Sequence, residues 1–136
     1  MIVECLLEKL KTLPDTHSAI VAWGDKLKPG ETLFAYREGD EEHDCVWIRA
    51  DTAYSPDMTD SGMFDTRVSL FARSFNLQKG KKFIEAIISD WDGREMVCGD
   101  YVFLVRAESV EAYAFLLDAL GRTTWTITFY IEGRRA

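Results

Sequence analysis

The sequence predicts an α+β fold: a mixed, mostly antiparallel β-sheet with two or three helices packed on one face. Three observations carry this expectation. The stretch "TTWTITFYIE" (123–132) alternates cleanly, with Trp125, Ile127, Phe129 and Ile131 on one side and Thr124, Thr126, Thr128 and Tyr130 on the other. The stretch "NLQKGKKFIEAIISDW" (76–91) instead carries Leu77, Phe83, Ile84, Ile87, Ile88 and Trp91 at helical spacing. Helices and strands also follow one another with hairpin-like connections, which favours an antiparallel or mixed sheet over a purely parallel one.

Taken in chain order, residues 2–11 place Val3, Leu6, Leu7 and Leu10 on one helical face, and Pro14 ends that helix. "SAIVAWG" (18–24) reads as a short buried strand, followed by a Pro-Gly turn at 28–31. "TLFAYR" (32–37) and "CVWIRA" (45–50) read as strands joined by the polar surface loop "EGDEEHD" (38–44). Residues 51–64 show no period of either kind, and a connection this long within a compact domain is commonly functional or disordered. "DTRVSLFARSFN" (65–76) reads as a strand that opens, at its last residues, into the helix of 76–91, with Asn76 as its N-cap and Gly80 as a weak position. "YVFLVR" (101–106) is a further strand. A helix over 109–121, capped by Ser109 and stopped by Gly121, precedes the closing strand.

The 136 residues make one expected domain, 1–136, with a 47% hydrophobic share that argues against disorder. No apolar run approaches the roughly 18 residues that a membrane span needs, so no membrane partner is expected. Glu4 precedes the first apolar run and no small-residue cleavage site follows, which argues against a signal peptide and for synthesis in the cytoplasm. A net charge of −7 speaks against a protein that grips nucleic acid by neutralising phosphates. Cys5, Cys45 and Cys98 are odd in number and lack paired spacing, so they are expected as reduced, half-buried thiols rather than as disulfides or metal ligands.

Chemistry-bearing clusters are few. "EEHDC" (41–45) brings a histidine, carboxylates and a thiol together, but on an extended chain His43 and Cys45 share a side that Asp44 cannot join. A solvated acidic loop is the simpler reading. His17 lacks a second histidine at metal-binding spacing and reads as a surface residue. "SDWDGRE" (89–95) lacks the ligand series of a calcium loop and reads as a helix end with a turn. "KGKK" (79–82) and the terminal "GRRA" read as solvated faces, or as contacts for an acidic surface or a phosphate backbone. The chain is therefore expected to be no enzyme, with no catalytic residue, cofactor or metal.

The feature left over is "RVSLFAR" (67–73). Val68, Leu70 and Ala72 suit a core, yet the other side carries Arg67, Ser69, Phe71 and Arg73, where an exposed face would ordinarily be all polar. Either Phe71 lies under another part of the same subunit, with the arginine stems covering apolar surface, or these residues meet a partner.

The amphipathic helix at 2–11, the strand "TRVSLFARSFN" running into "KKFIEAIISDW", the helix at 109–120 and the closing "GRTTWTITFYIEGRR" resemble the tail terminators (tail completion, minor tail protein U-like proteins) of long-tailed bacteriophages. The resemblance spans most of the chain in layout. It implies a structural subunit that forms a homo-oligomeric, hexameric ring on the tail tube and meets the tail-tube and head-tail connector proteins. DNA would pass nearby without specific binding, and the protein would occupy the host cytoplasm during assembly and then the virion tail. It also implies that Arg67, Phe71 and Arg73 form an oligomer interface, as Arg and aromatic residues commonly do. The segment holding Tyr54, Pro56, Asp57, Met58 and Met63 would be a mobile assembly loop ordered by a neighbour. The competing expectation is a small acidic binding module, an immunity- or antitoxin-like inhibitor that neutralises a basic partner through "EGDEEHD".

Overall fold

The computed structural model of the chain describes residues 2–36, 44–50, 63–108 and 121–135. Over these residues the fold is α+β: three helices and a mixed, mostly antiparallel sheet of six strands. Helix α1 (Ile2–Lys11) buries Ile2, Val3, Leu6 and Leu10, as its spacing requires, while Leu7 is only half-buried.

Residues 18–24 correct the sequence reading. Ser18–Trp23 is a helix, α2, rather than a strand. A strand would bury alternate residues, but the chain buries Ala19, Ile20 and Trp23 and leaves Val21 68% exposed. Both ends of this short helix are capped. His17 Nδ1 accepts a hydrogen bond from the Ala19 amide at 3.0 Å. Gly24, at φ 91°, donates its own N–H to the Ile20 carbonyl at 2.9 Å, a left-handed C-cap that glycine adopts without Cβ strain. His17 is accordingly no plain surface residue: its side chain is 16% exposed, and Nε2 lies 3.3 Å from Asp90 Oδ2.

Helix α3 (Leu77–Trp91) starts where the sequence places it, with Asn76 Oδ1 accepting from the amides of Gln78 and Lys79. Gly80 has a purpose that helix propensity alone hides. A Cβ there would sit 2.8 Å from Cδ1 of Trp125, whose indole N–H donates to the Leu77 carbonyl at 3.1 Å. The missing side chain lets the indole seat against the helix. Helices α2 and α3 pack together, with Trp23 and Phe83 rings 5.2 Å apart.

The strands are β1 (Leu33–Ala35), β2 (Cys45–Ala50), β3 (Phe64–Ser74), β4 (Arg94–Cys98), β5 (Tyr101–Ala107) and β6 (Thr123–Arg135). Their order is β1-β2-β3-β6-β5-β4, with β1 parallel to β2 and every other pair antiparallel. β1 is shorter than expected, because Tyr36 takes φ 68° and turns the chain out of the ladder. β4 was not expected at all. "REMVC" is short and buries only Met96 fully, so its alternation is weak, yet it pairs with β5 through a hairpin turned at Gly99 and Asp100. The helix expected over 109–121 lies, apart from Gly121, outside the described residues.

One sheet face meets the helices. Val46, Ile48, Val68, Leu70, Ala72, Phe103, Val105, Ile127, Phe129 and Ile131 are at most 3% exposed and join the helical residues in one core. Each such side chain contributes about 1.5 to 3 kcal/mol by leaving water. At the far end of β6, Gly133 opposes Phe64 on β3 and Phe103 on β5, and a Cβ at Gly133 would fall within the Phe64 ring. The ring fills the space a side chain would have taken, and it meets the Phe103 ring edge-on, with centroids 5.6 Å apart.

The cysteines are a second correction. Cys5 on α1 and Cys98 at the end of β4 form a disulfide, and only Cys45, which is buried, stays outside it. The pair is 93 positions apart in sequence. Spacing rules look for neighbours, so they pass over it.

Candidate functional site: the second face of the sheet

Register builds this face. Phe34 of β1 lies opposite Trp47 of β2, Trp47 opposite Phe71 of β3, and Phe71 opposite Thr126 of β6. These residues share the side away from the helices, because their neighbours Leu33, Val46, Ile48, Leu70, Ala72 and Ile127 are the ones in the core. The Trp47 and Phe71 rings stack with centroids 4.9 Å apart and planes 5° from parallel.

Each end of that pair is closed by a guanidinium from the diagonal position on the other strand. Arg73 lies 5.3 Å above the Trp47 ring, and Arg49 lies 4.9 Å above the Phe71 ring. Diagonal neighbours in an antiparallel pair are within reach of long side chains, and a cation over an aromatic face is attracted by the ring quadrupole. The result is a four-membered stack, Arg73, Trp47, Phe71 and Arg49, across two strands.

Further along β3, beyond Ser69, Arg67 lies over the Tyr130 ring at 5.3 Å and binds Glu108 Oε1 through Nε at 2.6 Å. The Tyr130 hydroxyl donates to Asp65 at 2.9 Å, and that hydrogen bond holds the phenol pKa above its ordinary value. Between the two groups, the Ser69 and Thr128 hydroxyls meet at 3.0 Å.

The structure thus brings Arg67, Phe71 and Arg73 to one side of β3, as alternation predicts, but does not expose them equally. Arg67 is exposed and Phe71 half-buried, whereas Arg73 is 5% exposed and Trp47 beneath it 6%. The expectation of Arg73 as a surface contact is corrected: its charge is sheltered inside the chain, stacked on an indole. Trp47 and Arg49, unnamed from the sequence, belong to the same constellation. The signal for them was the alternation of "CVWIRA", which puts Cys45, Trp47 and Arg49 on one side. Of the expected assembly-loop residues, Met63 is 50% exposed beside β3, and Tyr54, Pro56, Asp57 and Met58 lie outside the described residues.

The other clusters resolve into structure. Asp44 is no solvated loop residue: its carboxylate accepts from Ser74 Oγ at 2.9 Å, the Phe75 amide at 3.0 Å and Lys79 Nζ at 2.6 Å. Burial pushes its pKa up as the largest single influence, but the hydrogen bonds from Lys79, Phe75 and Ser74 together outweigh it, and the net pKa is lowered. Lys79 also lies 4.6 Å over the Trp23 ring, so this first lysine of "KGKK" is a tie between elements rather than part of a solvated face. His43, Glu41 and Glu42 lie outside the described residues. Asp92 ends α3 and accepts from the Ala107 amide at 2.8 Å, while Gly93 turns at φ 75°, as a helix end with a turn requires.

An open groove of about 820 Å³ between α2 and α3 is lined by Val21, Ala22, Trp23, Lys79, Lys82 and Ala86 among others. No group of three or more His, Cys, Asp or Glu among the described residues could hold a metal ion. No described helix is long and apolar enough to cross a membrane. Comparison with models of known protein families and with curated protein sequences finds no match.

Proposed function

We propose that the chain is a non-catalytic assembly subunit, a tail terminator of a long-tailed bacteriophage that forms a ring on the tail tube and presents a surface to the head-tail connector. The observation that carries this reading is the second sheet face, where exposed Arg49 and Arg67 and half-buried Phe71 stand over the buried Trp47 and Arg73. Arg and aromatic side chains are those that anchor protein interfaces. In this reading Phe71, Arg67 and Arg49 meet the neighbouring subunit, and Arg73 stiffens the platform from its sheltered position. No cofactor takes part, and DNA passes without base-specific contact. Assembly takes place in the host cytoplasm, and the ring then remains in the virion tail.

The test is tail-tube assembly in the presence of the purified chain. Electron microscopy of tubes with and without the chain should show growth halted at a defined length, with a ring at one end. Phe71→Ser and Arg67→Glu should abolish the ring while the isolated variants still fold. Tubes that keep growing beside the unmodified protein, with scattering that shows a monomer throughout, overturn this reading in favour of a free-standing acidic binding module.

A further inference from the structure

We infer that the Cys5–Cys98 bridge is a redox-controlled latch that holds the two ends of the curled sheet together. Helix α1 packs on β1 and β2, at one end of the strand order, whereas Cys98 closes β4 at the other end. In a flat sheet, β2 and β4 are four strand spacings apart, about 19 Å at 4.7 to 4.9 Å per strand. A ten-residue helix is only about 15 Å long, and Cys5 lies in its first half. A helix seated on β1 and β2 can reach β4 only because the sheet curls and brings its ends toward each other. There the two Cα atoms stand 6.0 Å apart, within the span a disulfide bridges.

Three features suit the pair to reversible use. Cys5 and Cys98 are both half-buried rather than enclosed in the core, as exchange with small thiols and disulfides requires. Cys98 adjoins the Gly99–Asp100 turn, which places it at a hairpin tip, where movement disturbs little of the sheet. The third cysteine, Cys45, is 1% exposed and does not compete in exchange.

Closure requires an oxidant, and a small disulfide such as oxidised glutathione supplies it. One cysteine thiolate attacks a sulfur of the oxidant, forming a mixed disulfide and releasing one glutathione thiolate. The second thiolate attacks the protein sulfur of that mixed disulfide, forming the Cys5–Cys98 bond and releasing the second glutathione. Two electrons pass from the protein to glutathione, and the two protons lost by the protein thiols end on the two glutathione thiols. Reduction runs the same steps backwards and leaves α1 and β4 without a covalent link.

The test equilibrates the full chain in glutathione buffers of graded ratio, then quenches in acid and counts free thiols by alkylation and mass. Oxidising buffers should protect two thiols, mapped to Cys5 and Cys98. Oxidation should raise the melting temperature by on the order of 10 °C. Amide exchange in β4 should speed by about tenfold on reduction, with β3 and the middle of β6 unchanged. The Cys5→Ser/Cys98→Ser double variant should behave as the reduced chain and ignore the buffer ratio. The comparison of oxidised with reduced unmodified protein decides the matter even where that variant does not fold. Three free thiols in the folded protein at the most oxidising ratio, or equal melting and β4 exchange in both states, overturn the inference.

Discussion

The two faces of one sheet are closed by different physics. On the helix side, Leu70, Phe129 and Ile131 are fully buried and the fit is one of volume. On the other side, β3 offers Arg67, Phe71 and Arg73, and each is placed by a partner from a neighbouring strand: Tyr130 from β6 for the first, Trp47 from β2 for the other two. A volume-filled face tolerates change only at the expense of folding. On the other face the exposed Arg49 and Arg67 and the half-buried Phe71 can change with less harm to the fold than the buried Trp47 and Arg73.

The largest test of that contrast is Leu70→Ala, which should lower monomer stability by about 2 to 5 kcal/mol in denaturant melts, as for other buried large-to-small changes. The helix side is not purely apolar at its margin, and Asp44 sharpens the comparison there. Asp44→Ala leaves Lys79 and the Ser74 hydroxyl without their acceptor and should cost about 2 kcal/mol.

The same carboxylate sets a pH dependence. Its folded pKa is lowered, so its stabilisation is fully present above the unfolded carboxylate pKa of about 3.9 and is lost as pH falls through the folded value. Melts from pH 6 down to pH 2 should show an acid loss that Asp44→Asn flattens.

Smaller still is Phe71→Ser, which removes one stacked layer and should cost the monomer about 1 kcal/mol while removing ring formation. Equal melting losses for Phe71→Ser and Leu70→Ala would erase the distinction between the faces. The smallest effect belongs to Arg67→Ala. Its ion pair with Glu108 is solvent-exposed, so the melting of the monomer should stay within the scatter of repeated measurements, and salt should reduce any remaining difference.

Much of the fold was legible because it rests on period. α1, β2, α3 with its Asn76 cap and the alternation of β6 all follow from local spacing, and the structure places them there. What escaped depends on partners distant in sequence. "SAIVAW" is too short for its period to distinguish helix from strand, and the His17 and Gly24 caps decide it. "REMVC" becomes a strand only because β5 pairs with it. The sheltering of Arg73 requires knowing that Trp47 lies diagonally across, and the Cys5–Cys98 bond requires the curl of the whole sheet. Of the candidate site, the sequence shows which residues of β3 share a side, but not the half of the constellation supplied by β2 and β6.

The place of β6 also governs how the molecule is made. It is the last described strand in chain order, yet it lies between β3 and β5 and joins the two halves of the sheet. Its contacts with β3 are far from local; Ser69 and Thr128, for instance, are 59 positions apart. Until β6 pairs with them, β3 and β5 therefore each keep a bare ladder edge. Pairings of such long range close slowly, and bare strand edges recruit other chains. The yield of folded protein should thus rise when refolding is dilute enough for residues 123–135 to dock before unfinished sheets meet one another.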